Sequence, residues 1–478
     1  AYLDNAATTR MFPVALKAMM PYLSGELYGN TSSLHGLGIT ANVAVEEARR
    51  VLLGLLNAPT SSAKATQRND AAVVPNGKHI KKQKDQLLVF TSGGTEANNL
   101  ALVGAVRHAV EAKLAEIKAT MANHITASSP AGRAAAAINA HPLTLRVHLI
   151  TSPLEHAAIL APVKALKASP NALLLNGEST AGIKTTVNVK VDVTYVKNDQ
   201  FGLVDVKHLQ HVLQRDAEAV PEEGTINILT LATIMHANNE VGVVQPLVAI
   251  GEALHAHREA LVAHAPSTEF SSCVGVVPQV LFHTDACQSF GKLHLDVEEA
   301  KLDMVTINGH KLHGPKGVGA LFVRPGVYVA PLTVGGGHEG NIRSGTLNVP
   351  GIVGMAAAAA HIYGVETALL DPSLPHLPVT VPILRTTREP HGPVTSVGVT
   401  SESNFRVAKN IQELRRFLYE HFPRAYVNGP LLVTATEEGK HVLPISIEAQ
   451  KSYSTTTLEE YLESFTTTPQ MKLPNVLS

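Results

Sequence analysis

The sequence predicts an α/β fold: a mostly parallel sheet with helices on both faces. Three observations carry this expectation. Six short apolar runs recur along the 478 residues, helical patterns separate several of them, and the runs are apolar rather than alternating. Strands buried on both faces have that character, and their alternation with helices is the signature of a parallel sheet.

Taken in order, Leu87-Leu88-Val89-Phe90 reads as a buried strand, followed by a glycine turn and a helix from Glu96 to about Val110. Val147-His148-Leu149-Ile150 reads as the next strand, with a helical pattern over 157–167 behind it. A helix over 206–215 precedes a strand over 226–233, and a helix over 247–257 precedes a strand over 280–284. Met304 to Ile307 reads as a further strand, and a Gly- and Pro-rich turn joins it to the apolar run Gly319 to Val323. The alanine run 356–360 favours helix and is too short to span a bilayer.

Four segments, 58–86, 117–145, 364–403 and 430–472, lack periodicity and are rich in Ala, Ser, Thr, Pro or charge. They read as loop-like inserts, which closure entropy tolerates because its cost rises slowly with length.

Composition narrows the function class. With 45% hydrophobic residues the chain has ample material for a large core. Its 39 basic and 40 acidic residues nearly cancel, so no electrostatic preference for nucleic acid or a membrane surface is expected. Two cysteines, Cys273 and Cys287, exclude a disulfide framework and suit a reducing compartment, cytoplasmic or mitochondrial.

Chemistry-bearing residues fall at the ends of the expected strands. Lys311, in Asn308-Gly309-His310-Lys311-Leu312-His313-Gly314-Pro315, is poorly placed for packing and well placed to form an imine with an aldehyde cofactor. A surface turn with basic residues is the alternative. Ser92-Gly93-Gly94-Thr95-Glu96 puts small residues at a helix start, where free N–H groups hold phosphate; it also makes an ordinary capped turn. Asp285, in His283-Thr284-Asp285-Ala286-Cys287-Gln288, is a carboxylate at a strand end that suits a protonated ring nitrogen or, equally, a helix cap. Asn238-Asn239 supplies amides for a phenolic oxygen or for a turn. His156 in Glu155-His156-Ala157 fits a structural or a catalytic histidine. Gly335 to Thr346 is a glycine-rich loop whose Arg343 and Thr346 could meet a phosphate or carboxylate. Together, a phosphate cradle, a ring-nitrogen carboxylate and an imine lysine are the minimum parts for pyridoxal phosphate.

These blocks, with Tyr2-Leu3-Asp4-Asn5-Ala6-Ala7-Thr8-Thr9 and Gly29-Asn30-Thr31-Ser32-Ser33, resemble the NifS-like class V aminotransferases, in particular cysteine desulfurases and selenocysteine lyases. The resemblance runs to about Met355, interrupted by the inserts. It implies the pyridoxal phosphate-dependent transferase fold of type I. Residues 1–15 would belong with a smaller α+β domain, 16–363 would form the large cofactor-binding domain, and 364–478 would be an incomplete part of the small one.

The resemblance also implies roles. Lys311 carries the cofactor and moves the Cα proton; His156 stacks on the ring; Asp285 pairs with its nitrogen. Asn239 and Gln288 bond the phenolic oxygen. Gly94, Thr95 and His310 hold the phosphate, with Asn308 where the desulfurases usually have a serine ligand. Thr346 reaches the phosphate of a neighbouring subunit in a homodimer. The substrate is cysteine or selenocysteine, the product alanine, and a sulfur- or selenium-acceptor protein is the onward partner; no metal is implied. Another class V enzyme, an aminotransferase or a kynureninase-like hydrolase, and a non-catalytic scaffold of the same fold are the alternatives.

One departure stands out. Family members use a loop cysteine to take the sulfur. Cys287 falls where the family has a small packing residue and is expected to be a buried hydrophobe, and Cys273 matches nothing functional. Leu473-Pro474-Asn475 resembles the entry to the strand before the cysteine loop. The expectation is therefore a piece of a longer chain, with the catalytic cysteine and a carboxylate-binding arginine beyond Ser478.

Overall fold

The computed structural model describes residues 4–58, 88–122, 142–173, 186–219, 222–263, 278–370 and 471–472. Seven strands form one sheet in the order β1-β8-β7-β6-β4-β2-β3. They are β1 (Leu88–Thr91), β2 (Leu143–Thr151), β3 (Val187–Tyr195), β4 (Thr225–Thr233), β6 (Gln279–Asp285), β7 (Met304–Asn308) and β8 (Gly319–Val323). Only β8 runs against the others, pairing antiparallel with β1 on one side and β7 on the other. A two-residue strand, β5 (Val243–Val244), pairs antiparallel with β9 (Met471–Lys472).

Edge strand β1 and the inner strands β7 and β8 are buried at every position, and β6 at all but its first. This is why they read as unbroken apolar runs. Edge strand β3 is different: Val187-Asn188-Val189-Lys190-Val191 alternates, with buried valines beneath polar residues facing outward. Polar residues within buried strands are paired across the ladder. His283 of β6 lies between the hydroxyls of Thr233 on β4 and Thr306 on β7, at 2.9 and 3.0 Å.

Helices cover the sheet. After β1 the chain enters α3 (Gly94–Asn99), passes through a π-turn over Leu100–Gly104, and continues as α4 (Ala105–Ala122). Helix α5 (Ala157–Ala168) follows β2, α6 (Val206–Glu218) follows β3, and α7 (Leu247–Ala263) follows β4 and β5. The helix to Ala122 and the strand from Leu143 trim the insert expected over 117–145 at both ends. Ile117 and Leu143 are each 1% exposed, so burial extends the regular elements beyond the visible pattern.

Three helices pack as a group: α1 (Pro13–Leu23), α2 (Gly36–Leu55) and α8 (Val349–Tyr363). Pro13 starts α1, where its missing N–H costs nothing. Asn348 caps α8 by accepting from Gly351 N at 3.1 Å, and Gly364 ends it in the left-handed conformation at φ 66°. Small residues let α8 approach its neighbours. Ala356 to Ala360 are fully buried, and a Cβ at Gly354 would come within 2.5 Å of Met19 Sδ.

The smaller domain expected from 364–478 lies almost wholly outside the described residues, as does Cys273. No helix among the described residues is long and apolar enough to cross a membrane.

Candidate functional site

The parallel strands all end on one side of the sheet, which is where ligands bind in open α/β folds. Thr91 of β1 leads to Gly94, Thr151 of β2 to His156, Thr233 of β4 to Asn239, and Asn308 of β7 to Lys311, while Asp285 ends β6 itself. There they enclose a cavity of about 430 Å³ lined by Gly94, Thr95, His156, Asn239, Asp285, Gln288, Asn308, His310 and Lys311. Asp4, Ala6, Ala7, Asn98, Ala158, Met235 and Cys287 complete its wall. Of the residues to which the resemblance gives a role, Thr346 alone stands apart: it is exposed and does not line this cavity.

The cradle at the start of α3 is shaped by glycine. A Cβ on Gly94 would lie 2.5 Å from Cys287 Sγ, so the backbone there must stay bare. The first N–H groups of a helix have no partner within it, so this end offers donors to an anion. Glu96 accepts from Ser92 N at 2.7 Å and holds Arg343 Nε at 2.8 Å, fixing the turn. The carboxylate that Arg343 meets in this structure is that of Glu96.

Asp285 is 5% exposed and is oriented by two donors: Asn98 Nδ2 at 2.6 Å and Cys287 N at 2.9 Å. No basic side chain pairs with it among the described residues, so the carboxylate is free to hold a cationic ring nitrogen. Sequence reasoning missed Asn98 as its partner, because the contact joins residues 187 apart. Asn98 Oδ1 and Gln288 Oε1 are buried in the cavity wall with no hydrogen-bond partner among the described residues. Buried polar atoms in that condition call for a ligand or water.

The neighbouring amides divide their labour. Asn238 is structural: its Oδ1 accepts from Glu240 N and Val241 N, both at 2.8 Å, and its Nδ2 donates to Leu154 O. Asn239 faces the cavity instead. Gln288 Nε2 donates to Ala6 O at 2.8 Å, so the N-terminal segment forms part of the wall.

That segment also braces the lysine turn. Thr9 N and Oγ1 both donate to His310 O at 2.8 Å, and His313 N donates to Thr9 Oγ1 at 2.8 Å. Phe12 stacks on His313 with ring centres 4.1 Å apart. Asn308 Oδ1 accepts from Lys311 N at 3.3 Å. Burial, then the charges of Lys311, Lys316 and Lys292, lower the His310 pKa, favouring a neutral imidazole.

His156 caps α5, its Nδ1 accepting from Ala158 N at 3.0 Å, which leaves Nε2 as the protonated nitrogen when the ring is neutral. Beside it, Glu155 is buried and accepts Met235 N with both oxygens, at 2.9 and 3.1 Å. Burial pushes the Glu155 carboxyl well up, opposed by the Met235 bond and reinforced by Asp285. Cys287 corrects another expectation, since its thiol lines the cavity rather than filling a hydrophobic core. Burial and the adjacent Asp285 push that thiol well up, so it is a poor thiolate.

A cradle that only glycine fits, a carboxylate held ready for a cation, orphaned buried acceptors and a lysine on one cavity wall fit an aldehyde-bearing phosphorylated pyridine.

Comparison with known proteins is consistent with this chemistry. Residues 1–67 and 265–369 match the family described as aminotransferase class-V. The cysteine desulfurase IscS of Dictyoglomus turgidum is 30% identical over 370 residues, 77% of this chain and 64% of that protein. The mitosomal cysteine desulfurase of Trachipleistophora hominis is 33% identical over 362 residues, covering 75% of this chain and 57% of its own length. A solved structure of a NifS-like protein superposes with a TM-score of 0.53 at 26% identity, covering 90% of this chain and 78% of the other. The chain spans less than two thirds of the length of these curated relatives.

Proposed function

We propose that the chain is a NifS-like class V aminotransferase, as its similarity to that family supports, that it uses pyridoxal phosphate, and that it acts on L-cysteine or L-selenocysteine, releasing sulfur or selenium and leaving L-alanine. The observation that carries this reading is the gathering of Lys311, Asp285, His156 and the Gly94–Thr95 cradle around one cavity.

Pyridoxal phosphate, when bound, supplies a carbonyl carbon that an amine can hold and a ring that takes up the electron pair left when Cα loses its proton. The chain's own residues do the rest. The Lys311 amine would hold that carbon and, when free, would take the Cα proton on Nζ. Asp285, steadied by Asn98, holds the proton on the ring nitrogen. Gly94 and Thr95 N–H groups and His310 bind the phosphate, with Asn308 beside them. Asn239 and Gln288 orient the phenolic oxygen. His156, at the cavity rim, would cover the ring face and hold a proton at Nε2 that Cβ takes up as alanine forms, while the chalcogen passes as a neutral atom to an external thiol.

Cys287 is not the sulfur acceptor in this reading, because its thiol stays protonated. Thr346 serves the phosphate of a second copy in a homodimer, and a separate acceptor protein takes the sulfur or selenium onward. The large domain spans 16–363.

The test is alanine release from L-cysteine and from L-selenocysteine by the cofactor-loaded protein, with dithiothreitol present to receive the chalcogen. Alanine from either substrate is expected. Alanine from neither, in protein that shows the visible band of lysine-bound cofactor, overturns the reading in favour of another class V reaction or a scaffold.

A further inference from the structure

We propose that His294, Asp296 and Glu299 form a binding site for a divalent transition-metal ion, with Zn²⁺ as the ion their chemistry fits. The site shares no residue with the cofactor cavity and does not depend on which group that cavity holds.

The segment after β6 builds it. In Leu293-His294-Leu295-Asp296-Val297 the apolar residues are 1%, 4% and 0% exposed, and His294 and Asp296 alternate with them on the less buried side. The chain then turns over 297–300 and brings Glu299 to the same spot. One ligand atom from each of the three side chains lies within 4.8 Å of the other two.

Spacing favours a shared ion over a direct bond. His294 Nε2 and Glu299 Oε2 stand 3.7 Å apart, too far for a hydrogen bond. Two ligands of one tetrahedral Zn²⁺, at ordinary Zn–N and Zn–O lengths, stand about 3.4 Å apart. Their side chains are 34% and 36% exposed, so the fourth position is open to water.

Asp296 is already oriented. Its Oδ1 accepts from Glu298 N and Glu299 N at 2.8 and 2.9 Å, and its Oδ2 accepts from Asn57 Nδ2 at 2.7 Å. Oδ2 keeps a lone pair for an ion, and an outer donor such as Asn57 is what steadies a ligating carboxylate. Asn57 follows α2 at φ 51°, and beside it Val297 N donates to Leu56 O at 3.2 Å, so the site is fastened to the end of that helix. Glu298, the acid between two ligands, is held instead by Arg324 Nη1 at 2.5 Å.

A second histidine borders this segment. His236 is 6% exposed, and its Nδ1 has no hydrogen-bond partner among the described residues. Ala237 and Leu293, the chain neighbours of His236 and His294, pack in one cluster. A buried polar atom in that condition calls for a ligand or water nearby. One imidazole with two carboxylates neutralises a dication and favours Zn²⁺ over Mg²⁺ and Ca²⁺, which take oxygen ligands.

The experiment is modification of His294 by diethylpyrocarbonate in the full chain, read by peptide mass, with and without a slight excess of Zn²⁺. Zn²⁺ should slow modification at His294 at least about tenfold in wild type and leave it unprotected in Glu299→Gln. Asn57→Gly removes the amide and keeps a backbone that accepts positive φ, so it should need about tenfold more Zn²⁺ for the same protection. Mg²⁺ in place of Zn²⁺ should not protect. Unchanged modification with Zn²⁺, or equal protection of wild type and Glu299→Gln, overturns the site, because His294 is then one adventitious ligand among 23 histidines. Equal protection by Mg²⁺ overturns the assignment to a transition-metal ion.

Discussion

Glu339→Gln is expected to destabilise the protein by about 3 kcal/mol, through a contact remote in sequence from the residues it supports. Glu339 is 1% exposed at its side chain and Arg49 9%. Arg49 Nη1 and Nη2 donate to the two carboxylate oxygens at 3.0 and 2.9 Å, and Phe90 N donates to Oε2 at 2.7 Å. The guanidinium also lies over the Phe90 ring, 4.8 Å from its centre. Removing one partner of such a buried pair costs about 3–5 kcal/mol, because the other charge is left without compensation. Arg49 retains Glu46 at 3.2 Å, though that carboxylate is 54% exposed, so the lower end of the range applies. Glutamine preserves size but offers one acceptor oxygen where two were used, and turns an N–H₂ toward a donor.

The assay is equilibrium unfolding in urea, comparing midpoints at unchanged slope. A loss under about 0.5 kcal/mol, the range of ordinary surface substitutions, would refute the reasoning. Replacing both partners, Arg49→Met with Glu339→Leu, should recover most of the loss, since an apolar pair of similar volume needs no counter-charge. The effect should reach cofactor binding. Glu339 sits at φ 49° between Gly337 at 75° and Gly340 at 64°, a strained turn that carries Arg343 to Glu96 beside the cradle.

Three further outcomes are expected. Gly94→Ala should weaken cofactor binding by about tenfold, the effect of roughly 1–3 kcal/mol of overpacking against Cys287 Sγ; Gly94→Ala with Cys287→Ala should bind more tightly than Gly94→Ala alone in an absorbance titration, and equal affinities would rule the clash out. Asn98→Ala removes a charge-assisted bond to Asp285, worth about 1.5–3 kcal/mol, so the visible band of bound cofactor should be lost at a more than tenfold lower concentration of competing hydroxylamine; an unmoved midpoint would deny Asn98 its role. Glu155 has its folded pKa raised above the unfolded value, so the stability it contributes is full below the ordinary carboxyl range and is lost as pH rises; Glu155→Gln should therefore gain on wild type between pH 5 and 8, by no more than about 1.4 kcal/mol per pH unit, and a pH-independent difference in urea midpoints would reject a neutral Glu155.

The strands that carry the site were legible because burial on both faces makes them uniformly apolar, and each ends in residues with few reasons to be there except chemistry. Lys311 and Asp285 belong to that class. Strand β3 escaped notice because it is an edge strand whose alternating valines resemble neither a buried run nor a helix. Helices α1 and α2 precede the first recognisable strand and owe their burial to α8, some 300 residues later, which no local pattern announces. The supporting residues were hidden for the same reason. Asn98 reaches Asp285 across 187 residues, Arg49 reaches Glu339 across 290, and Glu155 reaches Met235 across 80. Each is unremarkable in its own segment and is defined only by what the fold brings opposite it. Arg343 likewise meets a carboxylate, that of Glu96, which its own segment does not announce.

Lys311 is the residue proposed to carry the cofactor. Reduction of the pyridoxal phosphate-loaded protein with borohydride, followed by proteolysis and peptide mass analysis, tests it directly. A stable phosphopyridoxyl group on Lys311 in wild type and loss of the visible band in Lys311→Ala are expected. A band that survives in Lys311→Ala, or an adduct found on Lys316, Lys292 or any other lysine in wild type, would contradict it.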